Sequence, residues 1–551
     1  MTLLRCIYTS PTTAYKLKRT EPIWISDTLN YQLSDKGLYS NDLAFAIPDN
    51  QFFLPSHFDF SKHTIIQMEY YGGYGTRGNG GGVRTANFLE YQLKGIGKNA
   101  LLKNSSDYAA YSLGELLLQD AATEIVFSKL VDHLLPFGSV KHYGIISTGI
   151  HFHFNKSKTS DFFYRKDGIG AILIRDQTVR PAHFIPSYKY LPNLFRRPLL
   201  ATNTERCRYS NKKLFETKQY NNILKTFLRN SATQFVYSKL SNLMHGTIAP
   251  ANISLDGQWL DLSHTGIVQV NGNKKEAPES LSFFDEAFYP SQIAHEMTYN
   301  YKKFNYHAPV EHSIHHTYSE LYEQIWPKAL IDIWDIPHQC IMSCNFTYFL
   351  KFIEREMFAN HRYTTDEEFS IHKNTNFINT LFFPDQNDQL AINAKKFFLE
   401  QKHQLLKGYT SNNTDIAVYL YIKYYIKYYT LSEFTNSAVK NKFTNFAFSI
   451  KDIRKHINYY NNLIQCIFCK SNGRAYLYKT DELNIYYDIS NGNFIIKNDS
   501  NKNRIKKIND LIKKISNMKN TLLDKNIIVL TSMINILSKG VNRLTKNTDF
   551  L

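Results

Sequence analysis

Residues 245–262 read HGTIAPANISLDGQWLDL, and this stretch decides how the rest of the chain is read. His245 and Gly246 open it, Asn252 follows seven residues after the histidine, and Asp261 comes nine after that, at the end of an apolar step. An Asn amide oxygen and an Asp carboxylate so arranged are hard donors of the kind that hold Mg²⁺ against nucleotide phosphates. Where such loops carry a catalytic Asp, this one has Thr247 and Ala251. The spacing predicts a metal pair, Asn252 and Asp261, and a lost general base. His245 is expected to orient the loop backbone, and Asp256 is close enough in sequence to be a substitute base.

A second cluster lies upstream. YYGGYGTRGNGGGVR (70–84) holds seven glycines. They permit φ > 0 and close backbone approach, which a loop wrapping phosphates needs. NFLEYQLKG (87–95) reads as a strand carrying Lys94, and QDAATEIVFSKLVDHLL (119–135) has the apolar period of a helix bearing Glu124. Glycine-rich loop, strand lysine and helix glutamate follow one another as in a protein-kinase N-lobe, where the glutamate fixes the lysine that pairs with phosphates. Arg175 and Arg180 add two cations five residues apart, able to clamp a polyphosphate.

Taken together, these motifs resemble the selenoprotein O family, kinase-fold proteins that transfer AMP rather than phosphate. The family's YxGHQFG…GQLGDGR loop is similar to residues 70–84, keeping Gly81 and Arg84 but with Gly82 and Val83 where Asp and Gly stand in the family. Its LKGAG strand matches LKGIG and puts the nucleotide lysine at Lys94. DGRAVLRSSIREF resembles LGELLLQDAATEI (113–125), which retains Gly114 and Glu124 and has Leu113 for the Asp. GAVLTRVAPSHIRFG resembles GAILIRDQTVRPA (170–182), with Arg175 in place and Arg180 shifted by two residues. HGVMNTDNMSILGLTIDYG aligns without a gap to residues 245–263, so Asn252 and Asp261 fall on the metal ligands and Ala251 on the proposed catalytic Asp.

The resemblance spans roughly residues 65–270 and does not extend to the family's C-terminal cysteine or selenocysteine pair. It implies ATP and Mg²⁺ as cofactors, with the nucleotide flipped so that the α-phosphate is transferred. In general character, though in no quotable motif, the A/T-biased composition is also similar to maturation proteins of siderophore-microcin clusters, which join a peptide C-terminus to a glycosylated catecholate siderophore.

Loss of the base bears on the acceptor. A hydroxyl acceptor benefits from proton removal by about 10²–10⁴-fold. A carboxylate is already ionised at neutral pH and needs none. The expected reaction is therefore AMP transfer to a carboxylate such as a peptide C-terminus, with a second, acyltransferase-type maturation protein as a possible partner. Two alternatives stay open: a non-catalytic ATP-binding scaffold for a modification complex, and a basic nucleic-acid-binding protein.

Composition sets the outer bounds. A chain of 551 residues, 43% hydrophobic, is long enough for more than one domain and excludes a disordered class. Six cysteines are too few for a disulfide scaffold, and CIFC at Cys466 and Cys469 is a lone pair read first as buried thiols. No export signal or run of ~20 apolar residues is visible, which points to a cytoplasmic protein.

The net charge is +17, and residues 501–551 hold 11 Lys and Arg against 3 Asp. Ile505, Ile508, Ile512 and Ile515 recur there at helical spacing, so the charge is expected on the solvated face of an amphipathic helix, and a nucleic-acid partner is not favoured.

The expected architecture is α+β, a two-lobed protein-kinase-like fold with a helical C-terminal extension. Residues 1–185 form a sheet-plus-helix nucleotide-binding region, 186–400 a mostly helical lobe, and 401–551 a helical, basic extension. The aromatic run DIAVYLYIKYYIKYYTL (415–431) reads as a core-facing helix. His151 and His153, and the EHSIHH cluster at 311–316, are read as structural or solvated histidines.

Overall fold

The computed structural model describes residues 3–48, 53–73, 84–97, 114–152, 168–187, 197–268, 282–306, 313–358, 373–410, 412–444, 450–468, 473–479, 483–498, 502–516 and 524–546. Gly81 and most of the glycine-rich loop, with His153, His312 and Cys469, lie outside the described residues.

The first part is an antiparallel sheet of eight strands: β1 (Thr9–Leu17), β2 (Glu21–Ile25), β3 (Phe45–Ala46), β4 (Phe58–Glu69), β5 (Thr85–Phe88), β6 (Tyr91–Lys94), β7 (His142–Phe152) and β8 (Gly168–Asp176), in the order β2-β7-β8-β6-β5-β4-β1-β3. Alternation along each strand splits the side chains between two cores. Leu93, Ile172, Ile174 and Ile146 join a cluster drawn mainly from the sheet, the helix α1 (Asp27–Ser34) beside it and the loops around them. Ala171, Leu173 and Ile145 point the other way, into a core that runs on through the helical remainder of the chain.

Helix α2 (Leu118–Leu134) lies on that second face. Twelve of its residues are buried, on almost every side, as expected for a helix sandwiched between layers. The strand expected over 87–95 is instead a hairpin. Its turn falls at Leu89, whose φ is 53°, and it pairs β5 with β6.

Helices follow: α3 (Arg197–Glu216), α4 (Tyr220–Leu240), α5 (Tyr289–Phe304), α6 (Ile314–Ile333), α7 (Cys344–Phe358), α8 (Lys373–Phe382), α9 (Gln389–Leu406) and α10 (Asn413–Leu431). A short ladder, β9 (Leu243–Met244) with β10 (Gly266–Ile267), brackets the 245–262 loop. Tyr421, Tyr424, Tyr425 and Tyr428 of α10 are all buried, and Trp334 stacks on Tyr424 at 4.7 Å, so the aromatic run is core.

The C-terminal part differs from an all-helical extension. After α11 (Asn436–Thr444) and α12 (Ile450–Phe468) comes a four-stranded antiparallel meander, β11 (Arg474–Lys479), β12 (Leu483–Asp488), β13 (Asn493–Asn498) and β14 (Lys502–Ile505). Helices α13 (Ile508–Ser516) and α14 (Asp524–Lys546) end the described chain. Ile505 thus belongs to a strand, and the helical run starts only at Ile508. Ile508, Leu511 and Ile515 of α13 are buried while Lys506, Lys507, Lys513 and Lys514 face outward, so the basic stretch is a solvated face. Among the described residues no helix is long and apolar enough to cross a membrane.

Candidate active site

The site grows out of strand register. Gln92 on β6 pairs with Arg175 on β8, and Lys94 sits between Thr85 on β5 and Leu173 on β8. With a period of two, Gln92, Lys94 and Arg175 share the face that looks at α2, while Leu93 and Ile174 go to the opposite core. Helix α2 lowers Glu124 onto this face, with no exposed surface.

A fully buried carboxylate must be paired. Glu124 meets three partners: the Lys94 Nζ at 2.7 Å, the Arg175 Nη1 at 2.8 Å and the His142 Nε2 at 3.2 Å. Burial alone would raise its pKa. The Lys94 charge, the His142 hydrogen bond and the Arg175 charge hold it instead well below the usual carboxylate range.

Asp261 arrives from the other side, 167 residues along from Lys94. Its carboxylate contacts the Lys94 Nζ and lies 3.7 Å from the Arg175 Nη1. Burial opposes ionisation, but Lys94, Arg175 and Arg84 outweigh it and keep Asp261 ionised. Its backbone is left-handed, φ 56° and ψ 53°, an uncommon state for a residue with a Cβ and one concentrated at functional positions. The Asp261 side chain remains 31% exposed while that of Lys94 is 3% exposed. Asp261 therefore forms the open rim of a cluster whose cations form its floor.

One histidine holds the loop in shape. Thr247 N–H donates to His245 Nδ1 at 3.3 Å, which leaves the proton on Nε2. That nitrogen faces the carbonyls of Leu260 at 3.0 Å and Asn252 at 3.3 Å, so it ties Asn252 to the residue before Asp261. Burial lowers the His245 pKa, so it stays a neutral donor. Leu260 N–H also donates to the Asn252 carbonyl at 3.0 Å, closing a small hairpin. Asn252 Nδ2 donates to the Thr247 carbonyl at 2.6 Å.

Asp256 sits exposed at the hairpin tip, its carbonyl bound by Asn230 on α4. Ala251 is 6% exposed in an apolar nook with Tyr71 and Ala182, and its carbonyl accepts from the Arg180 Nη1 at 2.9 Å.

Arg180 and Arg175 are tied together by one side chain. Gln92 Oε1 accepts from Arg175 Nε and from Arg180 Nη2, each at 2.7 Å, while its Nε2 donates to Glu69 at 2.7 Å. The Arg180 guanidinium also stacks over Tyr71 at 4.9 Å. Arg84 reaches the Glu115 carbonyl at 2.8 Å, next to Gly114, whose φ of +82° suits glycine.

Of the residues singled out by sequence, the structure brings together Lys94, Glu124, Arg175 and Asp261 in one cluster. Gln92 joins Arg180 to Arg175, and His245 supports Asn252. Arg84 acts on Asp261 by charge, and Gly114 shapes the backbone beside Arg84.

Sequence reasoning missed Gln92, Glu69, His142 and a second tier beneath the loop. Glu286 is 1% exposed, pairs with Lys239 at 2.8 Å, and accepts the N–H groups of His245 at 2.9 Å and Gly246 at 3.1 Å. Gln92 was within reach, since it lies two residues before Lys94 and so on the same strand face. Glu286 carries no local signal.

Neither did Asn436, at the start of α11. Its Nδ2 donates to the Ser263 and Thr265 carbonyls at 3.0 and 2.7 Å, clamping the segment that follows Asp261. Gly266 is required there, because a Cβ would lie 2.6 Å from the Asn436 backbone nitrogen.

No protein-family model matches the chain, and no curated protein matches it. Its chemistry is read from the geometry above.

The residues fit Mg²⁺ and a nucleotide. Among the described residues no group of three or more His, Cys, Asp or Glu could hold a metal alone. Mg²⁺ is commonly held by one or two protein oxygens with phosphates and water completing the shell, which suits Asp261 and Asn252. Arg175 Nη2 and Arg180 Nε are buried without a hydrogen-bond partner among the described residues, donors of the kind an anion would satisfy.

Proposed function

We infer that the chain is an ATP- and Mg²⁺-dependent nucleotidyltransferase of the selenoprotein O kind, on a kinase-like arrangement, that transfers AMP to a carboxylate acceptor such as the C-terminus of a peptide undergoing maturation. One observation carries this reading: Lys94 lies between Glu124 and Asp261, with Arg175 beside both, while the position of the usual base is the apolar nook at Ala251.

Lys94 would hold phosphate oxygens, and Glu124 keeps its ammonium in place. Arg175 and Arg180 supply their unpaired donors to the phosphates. Asn252 and Asp261 would hold Mg²⁺, which would supply charge neutralisation at the phosphate oxygens. An acceptor carboxylate oxygen bonds to the α-phosphorus as the bond from that phosphorus to the β-phosphate oxygen breaks, giving an acyl-adenylate and pyrophosphate. No proton has to leave the acceptor, so Ala251 suffices.

The experiment is incubation with α-labelled ATP, candidate peptide acceptors and hydroxylamine. Release of labelled AMP together with a peptide hydroxamate is the expected result. Label retained on Ser, Thr or Tyr side chains, with no hydroxamate, would overturn the carboxylate assignment.

A second reading, an ATP-binding scaffold without turnover, is favoured by the Lys94–Asp261 contact, which occupies the metal carboxylate with an internal cation. Binding of Mg-ATP with no turnover on any acceptor would select it.

A further inference from the structure

Adenylation of a carboxylate is half of a reaction. The acyl-adenylate is consumed when a nucleophile attacks its carbonyl carbon and AMP leaves. A hydroxyl nucleophile has to lose a proton in that step, so transfer calls for a base that adenylation does without.

Most titratable groups of the site are committed elsewhere. Glu124 and Asp261 face Lys94 and Arg175, whose charges overcome burial and make both carboxylates weak bases. Glu69 accepts from Gln92 and is depressed to about 2. His264 lies 3.5 Å from the Lys440 Nζ, and burial together with that ammonium pushes its imidazole down to about 3. A base works best with a pKa near the working pH, which none of these approaches.

Asp120 is different. It lies one helical turn before Glu124 on α2, so the two carboxyls project from the same side of the helix. Arg84 before β5, Lys440 on α11, Lys94 on β6 and Glu124 all act on it by charge, which sets it beside the cluster. No hydrogen bond or ion pair holds it among the described residues. The helix dipole favours an acid in this first turn, yet it offers no reason for that acid to face three cations unpaired. Asp120 is half-buried and open to a substrate, whereas Glu124 is closed off completely. Burial raises its pKa above the ordinary aspartate value despite Arg84, Lys440 and Lys94, which makes it a stronger base than Glu124 or Asp261.

We propose that Asp120 is the general base of a second half-reaction in this site, in which an acceptor hydroxyl takes the acyl group from AMP. The hydroxyl oxygen bonds to the acyl carbon, the bond from that carbon to the phosphate oxygen breaks, AMP leaves, and the hydroxyl proton passes to the Asp120 carboxylate. Arg84, Lys94 and Lys440 disfavour an ammonium nucleophile, which selects an alcohol. Asp120 has this role only if the acyl-adenylate reading holds, and adenylation and transfer then share one site.

The test gives the full chain Mg-ATP, a peptide that forms a hydroxamate, and either hydroxylamine or glycerol. Hydroxylamine is uncharged at neutral pH and reports adenylation, whereas glycerol has to lose a proton and reports transfer. The ratio of ester to hydroxamate is the readout, because a partial loss of folded protein cancels in it. Asp120→Asn is expected to lower that ratio by about 10²–10⁴-fold, and Asp120→Glu to recover part of it. Without any ligand, the infrared difference between wild type and Asp120→Asn is expected to show a carboxyl titrating above the ordinary aspartate range. An unchanged ratio in Asp120→Asn, no recovery in Asp120→Glu, a carboxyl that titrates at or below the ordinary range, or hydroxamate without ester in wild type would each overturn the role of Asp120 and leave adenylation standing. Absence of hydroxamate in wild type would overturn the adenylation reading, and the role of Asp120 with it.

Discussion

The sheet-side half of the candidate site and the C-terminal extension are built on different principles. On the sheet, each functional side chain is fixed by strand or helix periodicity: Gln92, Lys94 and Arg175 share a face by register, and α2 delivers Glu124. In the extension, α11 reaches the site through side chains from a distant part of the chain, Asn436 and Lys440, the latter 3.5 Å from His264. Asn436 holds two carbonyls of the segment after Asp261, and nothing in its own sequence neighbourhood marks it. Chemistry that depends on side-chain type is written locally, whereas support for it is written in contacts between distant segments.

Glu124→Gln tests the sheet side most severely. It leaves Lys94, Arg175 and His142 around a neutral amide, and breaking a buried pair from one side costs about 3–5 kcal/mol. Chemical denaturation is expected to show that loss, and a change below about 1 kcal/mol would mean that the cluster is not tightly coupled.

Asn436→Ala tests the extension. Removing one donor from two carbonyls is expected to cost about 1–3 kcal/mol and to weaken Mg-ATP binding, because the segment beginning at Asp261 loses its clamp. Unchanged nucleotide affinity with lowered stability would confine the extension to a structural role.

The pH dependence distinguishes the two regions without mutation. Glu124 and Asp261 are depressed below the ordinary carboxylate range, and Glu69 is depressed to about 2 by His183 and Arg180 against its burial. Depressed carboxylates contribute stability that is fully present above their unfolded pKa values and lost as pH falls through the folded ones. Stability is therefore expected to hold down to about pH 5 and to fall below it. Hydrogen exchange at acid pH should open the amides of β6, β8 and α2 before those of α10. The reverse order would contradict the assignment of those pairs.

The smallest effect is expected at Asp256, exposed at the hairpin tip. Asp256→Asn should change stability by no more than about 0.5 kcal/mol and leave nucleotide binding intact.

What the sequence carried follows the same division. The helix over 119–135 and the His245–Asn252–Asp261 spacing were legible because each depends on a local period or a fixed loop length. The β5–β6 hairpin was not, since Leu89 adopts φ 53° without a glycine or asparagine to announce it. The meander from β11 to β14 was missed because its strands are only four to six residues long, and Ile505 happens to extend the helical spacing of Ile508, Ile512 and Ile515. Glu286, Glu69 and Asn436 could not have been found at all from local pattern, as their partners lie far away in the chain.

The most direct measurement is thermal unfolding of wild type and Asp261→Asn as Mg-ATP is raised. A ligand at 100 times its Kd stabilises the native state by about 2.7 kcal/mol. Wild type is expected to show a concentration-dependent rise in Tm that needs Mg²⁺ and that disappears in Asp261→Asn. A rise that survives in the variant, or none in either protein, would contradict the assignment of Asp261 and its neighbours as a metal-nucleotide site.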